Sequence, residues 1–357
     1  MPQPLPSPGA ATPEAIAFSR GIIEASIPFA RANDGLAAWQ IGSILALFGG
    51  SLGLLHVYGD QPWRWLLILP LTAVLIRIFV LQHDCGHKSL FRSSRVNDAV
   101  GTLLGFITGV AYEAWRSEHN WHHGNQAKLS HRGVDRMNSP MTAAEAIANP
   151  ANAKLRRDKI SIPSIFFLGA VSLVILRKRH TAFFQFRERF RWTVRNGPAM
   201  IRSVRLTNGM HLAYLVALAV WLGPLNFIIA LMAMVSAAGC GSLLFWVQHN
   251  YEHSHQADDA HWSFIDAGVY GSSYIHLGPL WRYITASICL HHVHHVNARI
   301  PNYRLEAARR AIPELAAVAS LQASDLRKCF THVFWDEGSG RMVPHDEVFA
   351  DRSAGQA

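Results

Sequence analysis

Long uncharged runs alternate with polar segments along this chain. Residues 37–58 carry no charge, and 65–82 carry only Arg77. Each approaches the roughly 20 apolar residues that a membrane-crossing helix needs. The link between them is short and holds Pro62 and Trp63, so the pattern predicts an antiparallel hairpin. Tyr58, Trp63 and Trp65 fall where interfacial aromatics belong. A second uncharged stretch, 209–248, is about twice the length of one span, and Gly223-Pro224 offers a turn inside it. Two hairpins, hence four spans, are expected.

Two shorter apolar stretches, 99–115 and 161–176, are read through charge. Residues 177–205 hold nine Lys and Arg against Glu188 alone, and 154–159 reads KLRRDK. The excess of Lys and Arg on cytoplasmic loops places both segments in the cytoplasm. Polar segments on that same side flank each stretch, so both are expected to lie in the interface rather than cross. The Pro-rich start, MPQPLPSPGA, lacks the basic-then-apolar order of a signal peptide and reads as a disordered tail. The expected division is a tail over 1–36, a membrane domain over 37–310 and a C-terminal cytoplasmic tail over 311–357. A helical stretch is expected near 304–320. The expected class is an all-α integral membrane protein with both termini cytoplasmic.

Composition sharpens this picture. Half of the 357 residues are hydrophobic, and 20 are histidine. The net charge of +9 suits anionic headgroups or an acidic protein partner. Neither zinc-finger spacing nor an RNA-binding signature accompanies it, which argues against nucleic acid. The four cysteines form no CxxC pair, and Cys85 and Cys289 read as small buried thiols.

The histidines carry the chemistry. Three clusters occur in order: His83-Asp84-Cys85-Gly86-His87, His119-Asn120-Trp121-His122-His123 and His291-His292-Val293-His294-His295. Residues three and four apart share a helix face. The spacing therefore aims His83 with His87, His119 with His122 and His123, and His291 with His294 and His295 at common points. Eight imidazoles exceed the needs of one metal ion and suit two. Imidazole serves zinc, copper, iron and nickel alike, and only redox-active iron or copper could attack an inert C–H bond.

The boxes HDCGH, HNWHH and HHVHH resemble those of the integral-membrane fatty acid desaturases. The hairpins, the box spacing and the run Val296-Asn297-Ala298-Arg299-Ile300-Pro301-Asn302-Tyr303 are similar to bacterial acyl-lipid desaturases of the delta-12 or omega-6 type. The resemblance covers roughly residues 37–310. It implies a cytoplasmic histidine-rich cap holding two non-haem irons, O2 as co-substrate, and a membrane-lipid acyl chain as substrate. The implied ligands are His83, His87, His119, His122, His123, His291, His294 and His295. Gln248-His249 is similar to a further family site, which adds His249; His253 and His255 are weaker candidates. His292 falls on a variable position. Asp84 is expected to accept an imidazole N–H rather than bind metal. His56, His131, His180, His211, His261 and His276 lack ligand spacing and read as structural or surface residues.

An apolar tunnel is expected below the metals, with Trp121, Trp246 and Tyr274 as upper-wall candidates. No flavin or dinucleotide fingerprint and no haem motif is present, so electrons must come from a separate carrier. The resemblance implies ferredoxin, or else cytochrome b5, with its reductase, and a bacterial inner membrane. The basic 177–205 stretch could steer such a carrier or bind lipid headgroups. The same boxes serve hydroxylases and ketolases acting on acyl lipids, alkanes or carotenoids. A metal transporter would instead place its ligands in mid-span.

Overall fold

The computed structural model describes residues 12–131, 140–171 and 197–353. The Pro-rich start, His180 and residues 172–196, which hold most of the basic stretch, lie outside the described residues.

Helix α1 (Pro13–Ser26) falls within the stretch expected as a tail. Thr12 caps it by accepting from the Ala15 N–H at 3.2 Å, and Pro13 stands where a missing N–H costs nothing. Helix α2 (Asp34–Val57) is capped by Asn33, whose Oδ1 accepts from the Leu36 N–H at 3.1 Å. A two-turn 3-10 segment, Pro62–Leu67, leads into α3 (Ile68–Gly86). Helix α4 (Ser94–Thr108) starts on the Ser93 cap and stops at Gly109, whose φ of 71° favours glycine. Helix α5 (Tyr112–Asn125) follows directly.

Three short helices come next: α6 (Ala143–Ala148), α7 (Pro150–Lys159) and α8 (Ile162–Val171). Helix α9 (Gly197–His249) is long and broken. Gly223 leaves helical geometry at φ 74° and ψ 167°, and Pro224 has no N–H to continue the ladder. Beyond it lie α10 (Phe264–Tyr270), α11 (Pro279–Ile284), α12 (His291–Val296) and α13 (Leu305–Ala311).

Three helical segments are long and apolar enough to cross a membrane: Asp34–Val57, Pro62–Gly86 and Gly197–His249. Their outer faces expose Leu47, Leu54, Leu69, Val216, Val220 and Ile228. Apolar exposure on this scale needs a lipid partner. The break in α9 lies beside the α2–α3 link: His56 stacks on Trp221, and its Nδ1 sits 3.0 Å from the Trp221 carbonyl oxygen. Exposed Tyr58, Trp63 and Trp65 cluster at the same end.

The core has two main parts. One joins α2, α3, α4 and α9 through Ile44, Leu55, Leu71, Ile78, Leu104 and Ile229. The other lies under the third histidine box and gathers Val293, Val296, Leu305 and Leu315 with Phe334 and Val343.

The second core corrects the expectation of an all-α chain. The protein is mostly helical and carries two small sheets. Strand β1 (Met141–Thr142) runs parallel to β4 (His332–Asp336), which pairs antiparallel with β5 (Arg341–Pro344). Strand β2 (Tyr274–Ile275) runs parallel to β3 (Ser320–Leu321). Strands of two to five residues are too short to show a period in sequence, and their partners lie far along the chain. Beyond residue 310, Ile312, Leu315, Phe334 and Val343 are buried in this core.

Candidate metal centre

Helix ends deliver the histidines. His83 lies in the last turn of α3, and His87 caps it. His119, His122 and His123 share the buried side of α5. His249 closes α9, and His291, His294 and His295 occupy the single-turn-and-a-half α12. All nine are buried.

The structure brings the nine together in two adjoining groups. Ligand nitrogens of His83, His87, His119, His123 and His294 all lie within 4.8 Å of one another. Those of His122, His249 and His295 do likewise. His291 joins the second group, with its Nε2 3.0 Å from His249 Nε2 and 3.1 Å from His295 Nε2. The groups touch where the His123 ring stacks on His295, 4.0 Å between centroids.

These donors fit metal ions. Two nitrogens on one ion at about 2.1 Å stand roughly 3.0–3.4 Å apart. His119, His123 and His294 meet that spacing in two Nε2–Nε2 separations of 3.1 Å. The Nε2 atoms of His83 and His87 are buried and have no hydrogen-bond partner, which is costly for a polar atom unless something else binds it. Burial, and after it the neighbouring imidazoles, holds His119, His123, His291, His294 and His295 well below the ordinary histidine range. They are neutral at physiological pH, the form that binds metal.

The surroundings hold the rings in place. His83 Nδ1 lies 3.1 Å from Asp84 Oδ1, and His249 Nδ1 lies 3.4 Å from the Gly271 carbonyl oxygen. Trp115 stacks on His119 at 4.4 Å, and Phe245 packs 4.8 Å from His249.

The other histidines are elsewhere. His292 points away, with Nε2 3.2 Å from the Leu315 carbonyl oxygen, and burial pushes its pKa down to about 4. His211 sits 2.7 Å from the Phe106 carbonyl oxygen. His253, His261 and His276 are exposed. Neither His253 nor His255 enters a metal-capable group among the described residues. Cys85 and Cys289 are buried thiols, and burial pushes Cys289 up to about 11.

An apolar cleft lies beside the first group. Leu75, Ile76 and Phe79 of α3 face Met234, Ala237, Ala238 and Gly241 of α9, with Thr108 and Val110 at one side. Phe79 stands one turn below His83, and its ring meets the edge of Trp115 at 5.7 Å. The expected wall aromatics are not there. Trp246 donates its indole N–H to the Cys329 carbonyl in the second core, Tyr274 packs 6.0 Å from His292, and Trp121 lies against His131. Phe79 lines the cleft instead, while Trp115 and Phe245 pack against His119 and His249. The only hint in sequence is their helical offset of four residues from His83, His119 and His249.

Residues 60–322 match the family model described as fatty acid desaturase. The chain belongs to the fatty acid desaturase family. Members of this family are oxidoreductases. A fatty acid desaturase of Bacillus subtilis (strain 168) is 31% identical over 293 residues, covering 78% of each chain. The sn-1 oleoyl-lipid 12-desaturase of Synechocystis sp. is 27% identical over 304 residues, covering 78% of this chain and 76% of its own. The chloroplastic omega-6 fatty acid desaturase of Brassica napus is 27% identical over 293 residues, covering 79% of this chain and 61% of its own.

Proposed function

We propose that this desaturase is an O2-dependent enzyme with a di-iron centre that inserts a cis double bond into a membrane-lipid acyl chain, with delta-12 or omega-6 regiochemistry. The observation that carries the reading is the pair of adjoining, buried imidazole groups beside an apolar cleft. His83, His87, His119, His123 and His294 would hold one iron; His122, His249, His291 and His295 would hold the other. Iron, when bound, would supply the redox chemistry with O2 that a side chain cannot. The balance is one saturated CH2–CH2 unit, one O2, two electrons and two protons giving one CH=CH unit and two waters.

The chain's own residues do the rest. The cleft takes the acyl chain, and Phe79 leads it toward His83. Trp115 and Phe245 keep water from the imidazoles, and Asp84 and the Gly271 carbonyl fix the faces that His83 and His249 present. The regiochemistry rests on the names of the Synechocystis and Brassica relatives.

In the bilayer we read four crossings in two hairpins. The contact of His56 with Trp221 supports this by pairing the two turns. The histidine end then faces the cytoplasm of a bacterial inner membrane, and ferredoxin, or else cytochrome b5, docks there.

The test is expression in a host that lacks polyunsaturated fatty acids, with mass spectrometry of lipid methyl esters beside a His119→Ala control. Di-unsaturated chains from the wild type alone are expected. Hydroxylated chains would move the protein to the hydroxylases, and absence of bound iron would sink the di-iron reading.

A further inference from the structure

We infer that Asn302 is a positioning residue for the metal centre, acting on His83 through Asp84. Asn302 opens a short 3-10 turn, Asn302–Arg304, beyond the third histidine box. Its backbone N–H and its side-chain amide both donate to one oxygen of Asp84, at 3.1 and 2.8 Å. The other Asp84 oxygen lies 3.1 Å from His83 Nδ1. The Asn302 side-chain oxygen Oδ1 in turn accepts from Gln40 Nε2 at 3.1 Å. Asp84, His83 and Asn302 are each 95% buried or more.

Burial makes this chain of contacts consequential. A buried carboxylate must be hydrogen-bonded, and here the two N–H groups of Asn302 saturate one of its oxygens. The remaining oxygen is left to His83. A neutral imidazole that donates from Nδ1 carries no proton on Nε2, which leaves that nitrogen bare toward the cluster. That Nε2 is the one found buried and without a partner. Asn302 therefore selects both the rotamer of Asp84 and the tautomer of His83, from 218 positions downstream.

The next residue reinforces the geometry. The Tyr303 hydroxyl accepts from the Asn33 N–H at 2.7 Å and reaches the Leu90 carbonyl at 3.3 Å. The Asn302-Tyr303 pair thus joins the start of α2, the end of α3 and the segment behind the third box. Without the amide arm, Asp84 can turn to water or to another rotamer, and His83 loses its fixed presentation.

The inference rests on the two-metal reading, and the experiment separates the two. Full-length apo-protein in nanodiscs is titrated with ferrous iron, and Mössbauer spectra are recorded on the loaded form. The variants are Asn302→Ala, Asp84→Asn and the double variant, with Asn302→Ser as the milder replacement should the alanine variant fail to fold. Wild type binding two irons is the premise; failure there overturns the function and not this contact. The expected result is about 10–100-fold weaker iron binding in Asn302→Ala, with one of two spectral components altered. Asp84→Asn should lose a similar factor, and the double variant little more than either. Wild-type affinity and spectra in Asn302→Ala, or losses that simply multiply in the double variant, would overturn the proposal. Asn226→Ala removes a half-buried amide remote from the site (Nδ2 to the Leu222 carbonyl, 3.2 Å), and it should lower stability while leaving both readouts unchanged.

Discussion

His123 Nε2 lies 3.1 Å from His294 Nε2, although 171 positions separate the two residues. One rides on α5 and the other on α12, so the centre itself is where these helices meet. On the di-iron reading, a shared ion is the reason for this approach. Metal content is therefore the first quantity that variants should change. His123→Ala is expected to bind fewer than two irons per chain by elemental analysis. His292→Ala should keep the full complement, because its ring serves the Leu315 carbonyl, and should lose stability instead. Leaving that carbonyl unsatisfied costs about 1–3 kcal/mol.

The cleft offers a test that spares the metals. Ala238 and Gly241 present almost no side chain to Leu75 and Phe79. Ala238→Trp fills that space. The variant should retain iron and lose most of its product, measured as methyl esters. Full turnover by this variant would place the acyl chain elsewhere.

Gly86 stands where α3 passes Trp115. A Cβ built there would come 2.8 Å from the indole ring, closer than such atoms approach. Gly86→Ala must push Trp115, and with it His119, or move the end of α3. Overpacking of this kind costs about 1–3 kcal/mol, which a thermal unfolding comparison would detect.

Glu306 makes a prediction about pH. Partial burial acts to raise its pKa, but hydrogen bonds from Arg309 and Arg310, with the charge of Arg282, overcome that and hold it at about 2. A depressed carboxylate stabilises the fold fully above its ordinary range, and the contribution fades as pH falls toward the folded value. Glu306→Gln should cost about 1 kcal/mol at neutral pH, after allowance for solvent screening. The gap from wild type should shrink between about pH 4.5 and about pH 2. A gap that stays constant down to the acid limit would contradict this.

Much of the site was readable in advance because its signal is local. Spacings of three and four on short helices mark His83 with His87, the second box and the third box without any knowledge of the fold. His249 has no such spacing, and only the resemblance to Gln-His in a known family pointed to it. Gly223-Pro224 likewise carries its break in two adjacent residues. The cleft was not readable. Leu75 and Ala238 face each other across more than 160 positions, and nothing near either residue marks the other. Trp246 shows the same limit, since an interfacial-looking aromatic is claimed by the Cys329 carbonyl through a contact no local pattern announces.

The sequence by itself determined where the long apolar helices run and which histidines share a helix face, because hydrophobic length and helical period are properties of consecutive residues. The tertiary structure decided which imidazoles share a group. It decided that His292 turns away toward the Leu315 carbonyl while its neighbours turn to the centre. It also decided that Asp84 is held by Asn302 and that short strands tie the C-terminal segment beneath the third box. These are contacts between distant segments, fixed only when burial forces each polar atom to find a partner.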